Sequence, residues 1–277
     1  MIWNCGRFEL NFNRTLVMGI VNATPDSFSG DGTLGEAALQ RARKMINDGA
    51  DILDIGGEST RPGAAVVSEA EEIRRVVPLV EQLADLGIPL SVDTMKSVVA
   101  LAAIRAGAAI INDVSGGIAD EKMLPTISEA NCGFVVMHRR ANSQTMRASQ
   151  ATPDAQNLET ELHAYFAERL AACDAAGIAR ERLCLDAGFG FGKSVSENLE
   201  IVRRGRELLP FDLPILSAIS RKSTIGKILG DVPVEERIFG TAALSALAIG
   251  SGANIVRVHD VKEMRDVARA SDAVLRI

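Results

Sequence analysis

Side chains able to do chemistry recur at one kind of place in this sequence, directly after short apolar runs. Asn22 closes the run at 16–22, Asp93 the run at 89–93, Asn112 and Asp113 the run at 109–113, and Asp186 the run at 183–186. His138 ends the run at 133–138, and Gly56 to Gly63 (GGESTRPG) follows the run at 51–56. Ser220-Arg221-Lys222-Ser223 follows the run at 214–219, while Arg257 and His259 belong to the run at 254–258 and its end. Taken singly, an Asn, Asp or Ser after a strand caps the next helix or opens a turn, and this explains Asp113 and Asp260 best. Capping does not call for Lys, Arg and His on the same rim. Lys222, Arg257 and His259, with Arg61 from the second loop, predict an anion site. Each charge-assisted hydrogen bond contributes roughly 1.5–3 kcal/mol, so a few can hold a diphosphate. Asn22 can meet a Mg²⁺ bridging phosphate oxygens, since such an ion takes one or two protein oxygens and keeps several waters. With no second His near it, His259 reads as a phosphate donor rather than part of a zinc site. Asp93, Asn112 and Asp186 are acceptors suited to a flat heterocycle rich in N–H donors.

The elements that must position these residues follow from a recurring phrase. A helical segment ends in Gly or Ala-Gly, a β-branched run follows, and polar residues close it; this appears at 47–55, 86–93, 106–113, 131–138 and 251–259. The Gly ends a helix by taking φ > 0, and the apolar run reads as a parallel strand buried on both faces. Eight strands are predicted, near 16–22, 51–56, 89–93, 109–113, 133–138, 183–186, 214–219 and 254–258. The clearest helix is 68–86, where Ser68 and Glu71 form a capping box, Ile73, Val76, Val77, Val80 and Leu83 recur at helical spacing, and Pro78 is a local cost. Strand–helix alternation predicts an α/β fold, a single-domain (β/α)8 TIM barrel over residues 1–277, with an open doubly wound sheet as the alternative. In such a barrel the active site lies at the C-terminal face, and the loops after the seventh and eighth strands often bind phosphate.

Composition narrows the function classes. The 277 residues are 47% apolar with a net charge of −6, which argues against a nucleic-acid partner. No apolar run reaches the roughly 20 residues needed to span a bilayer, so no membrane association is expected, and residues 1–15 lack a signal-peptide core. Cys5, Cys132, Cys173 and Cys184 are scattered without a C-x-x-C pair, and read as reduced thiols of a cytoplasmic protein. Gly188-Phe189-Gly190-Phe191-Gly192-Lys193 is a weak phosphate-loop signal. Its two Phe side chains either wall an aromatic substrate or pack beneath a turn. Met18 and Met137 are likewise pocket wall or core.

Several of these segments resemble, in order, the signatures of the dihydropteroate synthases: Met18 to Phe28 (MGIVNATPDSF), Gly56 to Gly63, Ser91 to Thr94, Ile111 to Asp113, Phe189 to Lys193, Ser220 to Ser223 and Arg257 to Asp260. The resemblance runs from about residue 16 to 270. It implies a homodimeric barrel that joins a dihydropterin diphosphate to p-aminobenzoate with Mg²⁺ as cofactor. On that basis Asp93, Asn112, Met137, Asp186, Gly190 and Lys222 bind the pterin. Asn22, Arg61, Arg257 and His259 hold the diphosphate, with Asn22 on the metal. Phe28, Thr60, Arg61, Pro62, Phe189, Phe191 and Ser223 form the p-aminobenzoate pocket. Asp93, Lys222, Arg257 and His259 carry the chemistry, in which diphosphate leaves to give a pterin cation that the amine attacks. The alternatives are a methyltetrahydrofolate-dependent methyltransferase on the same barrel, which needs no diphosphate clamp, and a non-catalytic pterin-binding homologue. The sequence departs from the family pattern at Ala187, where Pro is usual and would stiffen the turn, at Arg139-Arg140, and at Phe239, which is expected to pack within its helix or at a dimer face.

Overall fold

The computed structural model describes residues 1–23, 36–59, 66–140 and 158–275. An antiparallel hairpin, β1 (Ile2–Cys5) and β2 (Phe8–Asn11), precedes the barrel strands. These strands are β3 (Leu16–Asn22), β4 (Ile52–Gly56), β5 (Leu90–Asp93), β6 (Ile110–Asp113), β7 (Gly133–Met137), β8 (Leu183–Asp186), β9 (Leu216–Ser217) and β10 (Ile255–Val258). The described helices are α1 (Glu36–Asp48), α2 (Glu69–Leu83), α3 (Ser97–Ala106), α4 (Met123–Ala130), α5 (Leu158–Ala175), α6 (Val195–Leu208), α7 (Ser223–Ile228), α8 (Ile238–Gly250) and α9 (Val261–Leu275).

The eight parallel strands pair in the order β8-β7-β6-β5-β4-β3-β10-β9. A parallel bridge between Leu185 and Ile215 then joins the two outer strands and closes the barrel. The seventh strand is shorter than its apolar run predicts. Beside it, Asn254 Oδ1 takes the Ile215 amide at 2.9 Å, and the Ile215 carbonyl serves both Asn254 and Ile255 outside the regular ladder.

Register explains why polar residues gather at one end. Gly56 sits opposite Asp93, Asp93 opposite Asn112, Asn22 opposite Gly56 and Met137 opposite Asp186. Two residues earlier on β4, on the same face of the strand, Asp54 lies opposite Ser91. Below this polar layer the interior is apolar, with Met18, Ile52, Ile110, Val135, Leu216 and Ile255 buried in one cluster. The hairpin, for which residues 1–15 gave no signal, seals that end. Trp3 and Cys5 are fully buried against the same cluster, and the Trp3 indole donates to the Arg182 carbonyl at 2.8 Å. Met18 is therefore core. Gly133, expected to close a helix, lies instead in β7, where a Cβ would come within 2.6 Å of Cys5 Sγ; Asn131, with φ of 50°, makes the left-handed helix end.

The predicted helix 68–86 is realised as α2, with Pro78 inside it. Its capping box is half formed. Ser68 Oγ accepts from the Glu71 amide, but the Glu71 carboxylate is taken by Arg74 and Arg75. The complete capping box is at Ser194 and Glu197, heading α6. All four cysteines are free and buried. No described helix is long and apolar enough to cross a membrane.

Candidate active site

A cavity of about 500 Å³ opens at the C-terminal end of the barrel, within the usual range for small-molecule sites. Asn22, Asp93, Asn112, Met137, Asp186, Gly190, Lys222, Ser223, Arg257 and His259 all line it, as does Phe191. Phe28, Thr60, Arg61 and Pro62 lie outside the described residues.

The floor is an ion-pair network that includes a residue sequence reasoning missed. Arg257 donates from Nε to Asp54 Oδ2 at 2.5 Å and from Nη2 to Asp93 Oδ2 at 2.9 Å. Asn112 Nδ2 donates to the same Asp54 oxygen at 3.1 Å. Asp54 is fully buried. Its signal was present, a carboxylate inside the apolar run IleLeuAspIle, where only a buried partner can make a charge tolerable. Burial pushes the Asp93 carboxyl up to about 7; Arg257 opposes the shift, and Asp54 adds to it. Asp186 is also raised by burial, opposed by Lys222, and its Oδ1 accepts from the Gly188 amide at 2.7 Å.

Lys222 stands between the floor and the glycine-rich loop. Its Nζ donates to the Phe189 carbonyl at 2.5 Å and lies 4.5 Å from the centre of the Phe191 ring. Burial lowers the ammonium to about 8, with Asp186 resisting the shift. Phe191 is a wall, packed with Val114 and Met137. Phe189 corrects the expectation made for it. Its ring is 1% exposed and packs against Val202, Ile219, Ile225 and Leu244 behind the strands, off the cavity wall, while its carbonyl accepts from Lys222. The loop is not a phosphate cradle either, because Lys193 turns inward, 1% exposed, onto the carbonyls of Gly188 and His138. His138 likewise leaves the rim; it is buried, with Nε2 3.3 Å from Glu161.

The cationic wall is broader than expected. Arg221, Lys227 and Arg237 line the cavity beside Lys222, Arg257 and His259. Arg221 is held by Asp260 at 2.8 and 2.6 Å, and Arg237 donates to the Arg221 carbonyl at 3.0 Å. Ser220 Oγ accepts from the His259 amide at 3.2 Å and lies 3.0 Å from His259 Nδ1. A Ser220 hydroxyl donating to Nδ1 would leave the proton of a neutral His259 imidazole on Nε2.

The departures from the family pattern have structural consequences. Arg140 binds Glu161 on α5 and lies 2.7 Å from Glu197 on α6, stapling both helices to the end of β7. The Ala187 turn is secured by the Gly188–Asp186 bond and by Phe191 N donating to the Gly188 carbonyl at 3.1 Å. Phe239 does not pack within its helix; it is 84% exposed at the first turn of α8.

Comparison with known proteins agrees with this arrangement. The pterin binding enzyme family matches residues 18–259. The dihydropteroate synthase of Escherichia coli K12 is 44% identical over 270 residues, covering 96% of this chain and 94% of its own. The solved dihydropteroate synthase of Xanthomonas albilineans with 4-aminobenzoic acid is 39% identical and superposes with a TM-score of 0.92, over 100% of this chain and 98% of its own. That of Burkholderia cenocepacia, complexed with 7,8-dihydropteroate, is 42% identical with a TM-score of 0.88, over 99% and 96%. The chain therefore belongs to the pterin-binding enzymes and, among them, to the dihydropteroate synthases.

Proposed function

We propose that this chain condenses a dihydropterin diphosphate with p-aminobenzoate, forming dihydropteroate and releasing diphosphate. The observation that carries the residue assignment is the polarity of one cavity, with buried acceptors on its floor and a bank of cations on its wall. Asp186, Asn112 and Asp93 accept from the amino and ring N–H groups of the pterin, Lys222 donates to its ring, and Met137 and Gly190 flank its faces. Arg257 uses two of its five N–H groups on Asp54 and Asp93; the remainder, with His259 and Asn22, are directed to the diphosphate.

The C–O bond between the exocyclic methylene and the diphosphate breaks first, and its electron pair leaves with the diphosphate. Cationic side chains fixed in advance stabilise that departing charge without reorganising. The anionic Asp93 faces the pterin cation. The amine of p-aminobenzoate, placed against Phe191 and Ser223, then forms the new C–N bond and gives up a proton to solvent water. No covalent enzyme intermediate is required.

Magnesium fits as a guest of the substrate. Among the described residues no cluster of three His, Cys, Asp or Glu could hold a metal, whereas Asn22 at the end of β3 supplies one neutral oxygen. That donor set suits a Mg²⁺ held mainly by phosphate oxygens and water, which would neutralise the leaving group. Diphosphate release measured with both substrates tests the proposal. Release should need p-aminobenzoate, dihydropterin diphosphate and Mg²⁺ together, and full activity in excess chelator would remove the metal from the reading.

A homodimer belongs to the same reading. A groove of about 1030 Å³ is lined by Leu199 of α6, Leu247 of α8 and Val274 and Leu275 of α9, with Arg203, Arg204 and Glu207 beside them. A face with apolar residues and both signs of charge can match a second copy of itself about a two-fold axis. The four buried, unbridged thiols fit a cytoplasmic location.

A further inference from the structure

We infer that Lys193, which never reaches the cavity, is a positioning residue for pterin binding: its buried ammonium fixes the loop 188–192 from beneath and keeps Asp186 ionised. The inference rests on the reading that Asp186 binds the pterin.

The geometry is a two-sided clamp. Above the loop, Lys222 donates to the Phe189 carbonyl at 2.5 Å. Below it, Lys193 Nζ donates to the Gly188 carbonyl at 3.1 Å and to the His138 carbonyl at 3.3 Å, tying the loop to the end of β7. The Gly188 amide in turn donates to Asp186 Oδ1 at 2.7 Å. One residue thus holds both the turn and the orientation of the carboxylate.

Charge adds to orientation. Burial lowers the Lys193 ammonium to about 7; Arg140 after β7 and Lys222 after β9 add to that shift, while Asp186 on β8 and Glu161 on α5 oppose it, so Lys193 is fully charged on the acid side of neutrality. His138 lies against it, and its imidazole is lowered to about 4 by burial, so it stays neutral near pH 7. Glu197 on α6 is neutralised by Arg140. Around Asp186 the cations are Lys222, Lys193 and Arg257, all opposing the rise that burial imposes. As pH falls through the Asp186 pKa, the carboxylate gains a proton and loses an acceptor site, and pterin affinity drops; Asp93 adds a separate limb near 7 that Arg257, not Lys193, controls. Without the Lys193 charge, that drop must come at higher pH.

The test is calorimetric affinity for 6-hydroxymethyl-7,8-dihydropterin, which has no phosphate to titrate, measured from acid to neutral pH. Lys193→Met should weaken binding about tenfold at neutral pH and move the acid limb up by about half a unit to one unit. Lys193→Gln keeps an amide donor but no charge; it should bind closer to wild type at neutral pH yet show the same shifted limb. It also serves if the Met variant does not fold. An acid limb that stays in place in either folded variant overturns the inference. Asp186→Asn separates the two readings. If it abolishes binding while the Lys193 variants leave the limb in place, only the role of Lys193 fails; if it leaves affinity intact, both readings fail.

Discussion

Arg257 ties two buried carboxylates to one cation, and a pH dependence follows. Asp93, raised to about 7 chiefly by burial, is protonated in the folded protein at pH values where the unfolded chain has lost that proton. Its contribution to stability therefore falls as pH rises from the unfolded value near 4 to about 7. Its anionic form, which the proposed mechanism sets beside the pterin cation, grows through the upper part of that window, so activity should rise there. Arg257→Met removes the cation that holds the value down. The acid limb of kcat/KM should move to higher pH, and the rate at neutral pH should fall by about a hundredfold or more. Stability should drop by about 3 kcal/mol or more, because Asp54 and Asp93 remain buried without their partner. A pH–rate profile with an unmoved acid limb would show that Arg257 does not control Asp93.

At the scale of elements, the turn from β8 to α6 is tightly constrained. Gly188 has φ of +71°, and a Cβ there would lie 1.8 Å from the His138 carbonyl oxygen. That contact is with main chain, so the turn must shift to relieve it. Gly188→Ala should therefore reduce pterin affinity at least about tenfold and cost about 1–3 kcal/mol of stability. Calorimetric titration and urea denaturation give both numbers, and unchanged affinity would show that the turn does not set the Asp186 geometry. Proline at position 187 is not needed for this rigidity. The turn is held by the hydrogen bonds of Gly188 and Lys193, and Arg140 braces the two flanking helices.

In the whole molecule, the hairpin seal and the cavity sit at opposite ends of the barrel. Trp3 is fully buried below the apolar interior layer, and the cavity lies above the polar one. Trp3→Ala should cost about 3–5 kcal/mol, the usual effect of emptying a buried aromatic site. Activity of the folded fraction should be nearly unchanged; a large loss of kcat would mean that the hairpin communicates with the cavity. The proposed dimer face can be tested separately. Leu247 is 60% exposed in the isolated chain, and Leu247→Glu places a like charge on both copies of a self-matching surface. Sedimentation should find wild type as a dimer and the variant as a monomer with its fold intact. A monomeric wild type would exclude this face as the interface.

Much of the architecture was readable because it is written locally. Each strand is an apolar run bounded by a helix-ending residue and a polar residue, and backbone periodicity carries that information along the chain. Asn22, Asp93, Asn112, Asp186, Lys222, Arg257 and His259 were found because strand ends share one rim in a parallel barrel, and all seven line one cavity. Tertiary structure decided what depends on partners distant in sequence. Asp54 became part of the site only because Arg257, 203 residues later, reaches it across the barrel. The Glu71 carboxylate chose Arg74 and Arg75 over its capping role, and Asn131 replaced Gly133 as the helix end because Cys5 and Trp3 occupy the space beside that glycine. The direction of a side chain in an irregular loop is likewise set by what fills the space around it. Phe189 turned to the core and Phe191 to the cavity, and Lys193 turned beneath the loop, because packing and carbonyl acceptors, not residue type, settled each choice.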